Sequence, residues 1–156
     1  MASEEVTATQ TVQRTEPGNW KGGVLAGVAG GLVMGVMLTT MMTPVIEMAI
    51  PAMYGLQGGL AGWVAHMSHA AVLGVVFAAI VGATGYGDNL ARSAGLGVAY
   101  GVVLWVVLAA LVMPVWLSAV GFADPPNLPN FNATSLVGHV VYGLVLGAAY
   151  PYVRDL

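Results

Sequence analysis

The chain contains no cysteine. Disulfides, thiolate metal centres, iron–sulfur clusters and cysteine nucleophiles are excluded, and cysteine usage leaves the redox compartment undetermined. Charge is also scarce. Only 7% of the residues are charged, where a soluble domain carries about 25%. So few charges cannot cover a water-facing surface, so most of the exterior must face lipid. The four basic residues form no patch, which argues against a nucleic-acid partner. The motifs GxSxG, P-loop and HExxH are all missing, so no catalytic residue is assigned.

Apolar length is what the sequence has in quantity, with 58% hydrophobic residues. Segments 22–43, 61–83, 93–117 and 135–153 each reach the roughly 20 residues that carry a helix across a bilayer. Helices are the economical choice because lipid offers no partner to an unpaired backbone group. The expected fold is an all-α integral membrane protein, a four-transmembrane-helix bundle spanning residues 22–156. Trp20, Trp63, Trp116 and Tyr152 fall near predicted helix ends, where aromatic rings anchor at the interface. Residues 1–21 are polar and read as a disordered cytoplasmic tail without the pattern of a signal peptide.

Arg14, Lys21, Arg92 and Arg154 all fall on one side of such a bundle, and loops 44–60 and 118–134 carry no Lys or Arg. The positive-inside rule then places both termini in the cytoplasm of a multi-pass cell-membrane protein. Asn132-Ala133-Thr134 matches a glycosylation acceptor on the outer side, a short pattern that chance supplies readily.

The chain reads as a tandem duplication, with repeat one at 22–84 and repeat two at 92–154. Gly27, Ala29, Gly31, Val36, Leu38 and Pro44 recur 70 residues later as Gly97, Ala99, Gly101, Val106, Leu108 and Pro114. Val64, His66, Val72, Leu73 and Gly74 recur 73 residues later as Val137, His139, Val145, Leu146 and Gly147. Two-span units insert in the same direction, so a pseudo-twofold axis along the membrane normal is expected. Gly23, Gly27, Gly31 and Gly35 form a small-residue row on the first helix, the pattern of close helix association in lipid.

Ionisable groups inside a membrane are costly and are candidates for function. His66 and His69 lie one turn apart, and His139 and Tyr142 occupy the matching positions of repeat two. Paired imidazoles on two helices suit the axial ligation of a b-type haem, with His69 and Tyr142 orienting the rings. Haem b is therefore the first cofactor expected. Copper is second: Met37 and Met41 place two thioethers on one helical face, and His66, His139 and Glu47 extend that donor set. Histidines bonded to backbone, and methionines serving as gap fillers, are the ordinary alternatives.

The segments AIPAMYGL, GWVAHMSHAAVLGVVFA, YGVVLWVVLAALVMPVWLSAVGF and SLVGHVVYGLVLGAAYP resemble a group of small membrane proteins of halophilic archaea. The resemblance covers nearly all of the chain after the tail. It implies membrane residence and the four-helix layout, and no established activity. Some members of that group are labelled histidine kinases. This sequence has no nucleotide-binding domain, no asparagine-bearing ATP motif and no glycine-rich ATP lid. The reading is thus a cofactor- or metal-binding membrane subunit, with a transporter or channel, or a structural accessory subunit, as alternatives. The bilayer is its first partner, and a homo-oligomer or a larger membrane complex is expected around it.

Overall fold

The computed structural model describes residues 18–156; of the tail expected at 1–21, residues 1–17 lie outside them. Four helices are long and apolar enough to cross a membrane: α1 (Trp20–Met41), α2 (Gly59–Thr84), α3 (Leu90–Ala119) and α4 (Ala133–Val153). Outside them the described residues form a short helical segment after α1, turns and loops. The protein is an all-α, multi-pass membrane bundle. Helix α1 starts two residues earlier than expected, so Trp20 and Lys21 belong to the helix and not to the tail.

Asparagines start three of the helices. The side-chain oxygens of Asn19, Asn89 and Asn132 accept from the backbone N–H groups of Lys21, Arg92 and Ser135. Each satisfies a donor that the first helical turn leaves without a partner. Asn19 and Asn89 are themselves 70 residues apart. Asn132, the first residue of the glycosylation pattern, is the cap of α4. Helix α2 stops at Gly85, whose φ of 68° is left-handed and favours glycine.

Small residues decide which helices meet. A Cβ on Gly27 would strike the carbonyl of Ala70 and the Cα of Gly74, and one on Gly97 would strike the carbonyl of Gly143 and the Cα of Gly147. These are the same contacts shifted by 70 and 73 residues. Gly23 lies on the Gly74 carbonyl. At the matching place Ser93, completely buried, donates its hydroxyl to the Gly147 carbonyl at 2.6 Å. The pairs α1–α2 and α3–α4 are therefore built alike.

Contacts between the two pairs are unequal. Helix α1 packs closely on α4 as well as on α2, while α2 and α3 barely touch. The reason lies in the second face of each helix. On α1 that face is Gly22, Ala26 and Gly30; Gly22 meets Val153 and Arg154, and Gly30 meets Tyr142. On α3 the matching positions are Arg92, Leu96 and Tyr100. Glycine lets backbones approach, and tyrosine holds them apart.

Two features were not expected from periodicity. Residues Trp105–Val112 within α3 are π-helical, and so is Val45–Ala49, which follows α1 and leads into the one-turn helix Ile50–Ala52. Pro114 has no N–H to offer the carbonyl of Ala110. The backbone N–H of Asn130, from the loop between α3 and α4, donates to that carbonyl at 2.9 Å. The widened turn and the loop together let α3 continue past its proline. Segment 45–52 seats on α2 at Gly62, where any Cβ would collide with the carbonyl of Ile46.

The two ends of the bundle differ in charge. At one end Arg154 pairs with Asp88, and its carbonyl accepts from the Asn19 side chain at 2.6 Å. Lys21 and Arg92 belong to the same end, beside Asn19 and Asn89. The opposite end, formed by 42–58 and 120–132, carries no Lys or Arg.

Candidate functional site

In the half of the bundle away from the basic residues lies a cavity of about 500 Å³. That volume is within the roughly 300–1,000 Å³ of small-molecule sites. It exists because Tyr100 keeps α3 off α2. Tyr100 reaches across with its hydroxyl and donates to the Leu73 carbonyl at 2.9 Å. The walls are mainly apolar: Met34 and Leu38 of α1, Leu73 of α2, Leu104, Leu108 and Ala109 of α3, and Ile50 of the outer segment. No Asp, Glu, Lys or Arg lines it. Its exposed lining side chains are Ser68 and Val72 of α2, Val112 and Trp116 of α3, and Tyr54 of the segment that follows α1.

All three histidines and Tyr142 face this cavity. His66 is buried, and its Nε2 lies 2.9 Å from the Gly31 carbonyl across the α1–α2 contact. His139 turns back on its own helix, with Nδ1 2.8 Å from the Ser135 carbonyl. A carbonyl oxygen only accepts, so each of these nitrogens carries the proton. The second nitrogen of each neutral ring, Nδ1 of His66 and Nε2 of His139, is then a lone-pair acceptor. Neither is sealed in: among the described residues no buried side-chain nitrogen or oxygen lacks a partner. Both imidazoles line the same apolar space, each with one nitrogen uncommitted.

Tyr142, expected as a partner of a histidine, instead donates its hydroxyl to the Ala70 carbonyl at 2.9 Å. It ties α4 to α2 one turn below His66. His69 bonds through Nε2 to the Tyr54 hydroxyl and so belongs to the outer rim. The Tyr54 ring also lies 5.6 Å from that of Trp116. Tyr54 thus links α2 to α3 above the place where they diverge.

The wider metal set does not assemble. Met37 and Met41 border a separate small crevice between α1 and α4, with Met34 and Gly138. Glu47 is exposed on the outer segment near Gly59. Among the described residues no three His, Asp or Glu side chains group as a metal would require. Tyr54, Tyr100 and Ser135 are the site residues that sequence reasoning passed over. The substitution of Gly30 by Tyr100 within the repeat was a signal that could have found one of them. No family model, curated protein or solved structure matches this chain.

Proposed function

We propose that this small integral membrane protein is a cofactor-binding subunit of the cell membrane, with its termini in the cytoplasm and its ligand seated between α2, α3 and α4. One observation carries the reading: the imidazoles of His66 and His139, each with one uncommitted nitrogen, line the same apolar cavity. The duplication explains why one histidine comes from each repeat. The orientation rests on Lys21, Arg92 and Arg154, which mark the inner end.

A b-type haem fits this site in part. His66 Nδ1 and His139 Nε2 are donors of the kind haem iron takes. Its two carboxylates would find no basic side chain among the lining residues. Copper would have the same two nitrogens, without the thioethers of Met37 and Met41. A transport path finds less support. The inner half is filled by Phe77, Val81 and Tyr150, all essentially inaccessible, and closed by the glycine contacts. An accessory role beside a larger complex, or in a homo-oligomer, is compatible with the cofactor reading and does not replace it.

The deciding experiment is an oxidised and reduced absorption spectrum of the detergent-purified protein, expressed with haem available. It is paired with mass spectrometry of an organic extract. A Soret band lost in both His66→Ala and His139→Ala, with the helical circular dichroism intact, identifies haem. A stoichiometric extracted compound lost in the same variants identifies another ligand. A folded protein carrying neither, and taking up neither on addition, refutes the cofactor reading.

A further inference from the structure

We infer that the ligand is a neutral, lipid-soluble molecule whose head donates hydrogen bonds from hydroxyl groups, the quinol class, and that it enters sideways from the bilayer between α2 and α3. The inference rests on the cofactor-binding reading of the same cavity and adds the chemistry of what it holds.

Charge decides the first point. An ionised headgroup taken out of water needs a counter-charge or a dense set of hydrogen bonds. The cavity wall has no charged side chain, and the described basic residues sit at the other end. A phosphate or carboxylate is therefore poorly served, and a neutral head is not.

Hydrogen-bond direction decides the second. The hydroxyl of Tyr142 is spent on Ala70, that of Ser68 on Val64, and the protons of His66 and His139 on backbone carbonyls, while the Ser135 hydroxyl, 3.5 Å from the protonated His139 Nδ1, keeps its own proton to donate. What remains on the two imidazoles is a pair of acceptors. Hydrocarbon offers them no donor. A hydroxyl head satisfies them and can also accept from the Ser135 hydroxyl, whereas a quinone carbonyl only accepts and leaves both imidazoles without a donor.

Position decides the third. The exposed lining between α2 and α3 lies at Val72, 63% exposed, and Val112, 40% exposed. Both lie on membrane-crossing helices, so the opening faces acyl chains. A ligand can pass without leaving the bilayer, its apolar tail lying along the seam that Tyr100 holds open.

The test uses the full chain in phosphatidylcholine nanodiscs, with decylubiquinol kept reduced, decylubiquinone, haemin and copper(I) as separate probes. Retained probe is quantified after gel filtration, and the unfolding midpoint is recorded, since a ligand bound to the native state raises it. Decylubiquinol is expected to bind near one per chain, at least tenfold more tightly than decylubiquinone. Loss of one imidazole acceptor in His139→Phe should weaken it by roughly tenfold. Val72→Trp alters only the exposed mouth, so it keeps the fold and should slow or abolish uptake. Equal binding of quinone and quinol overturns the donor-head assignment. Uptake unchanged in Val72→Trp overturns the lateral route. Retention of haemin or copper(I) but not decylubiquinol overturns the ligand class while keeping the cofactor reading. Retention of no probe by folded protein, or cross-linking of Val72→Cys between two copies without uptake, sinks both.

Discussion

Tyr100 donates its hydroxyl to the carbonyl of Leu73, 2.9 Å away on the facing helix. This one residue both separates α2 from α3 and ties them together. Removing the hydroxyl alone, in Tyr100→Phe, should cost about 0.6 kcal/mol, the average of interhelical bonds in a membrane. It should leave the cavity in place. Tyr100→Gly puts on α3 the residue that α1 carries at Gly30 and should let α3 close on α2. The expected result is a loss of ligand capacity with helical content retained, read by binding in nanodiscs beside circular dichroism.

The glycine contacts predict a sharp positional contrast. Gly27→Val and Gly97→Val should each destabilise the bundle by more than about 2 kcal/mol, because the added atoms meet backbone that cannot give way. A Cβ on Gly95 would have nothing within 4 Å of it. Gly95→Ala should be neutral or stabilising by up to about 1 kcal/mol through helix propensity. Thermal unfolding in detergent checks all three. Equal damage at positions 95 and 97 would show that α3 does not meet α4 through this face.

Orientation is open to a direct chemical test because the chain has no native cysteine. Gln57→Cys, on the outer connection, should react in intact cells with a membrane-impermeant maleimide. Asp155→Cys, beside Arg154, should react only after the membrane is opened. The reverse pattern would invert the assignment of inside and outside.

The ion pair of Arg154 and Asp88 should matter little. The Asp88 side chain is 77% exposed, and exposed pairs contribute no more than about 1 kcal/mol, screened by salt. Asp88→Asn is expected to lower the unfolding midpoint slightly in low salt and not at all in high salt. A large effect that persists in high salt would mean that the Asn19–Arg154–Asp88 cluster locks this end of the bundle cooperatively.

Much of this architecture is legible in the amino-acid sequence. Scarce charge and four long apolar runs determine a helical membrane protein, because lipid tolerates neither ions nor unpaired backbone groups. The row from Gly23 to Gly35 named the face that α1 presents to α2, since only glycine allows contact of that closeness. The spacing of His66 and His139 announced a matched pair. The same spacing could not state which ring nitrogen each would commit, and so could not separate a donor from an acceptor. That depends on where the carbonyls of Gly31 and Ser135 lie, one across a helix interface and one a turn away. Nor could periodicity foresee the π-helical stretch of α3, which depends on Asn130 reaching back to Ala110 from a loop 20 residues on. The cavity itself is a property of tertiary structure. It arises because α1 has small residues on two faces and α3 on one, so three helix pairs close, the fourth stays apart, and the histidines acquire a common space.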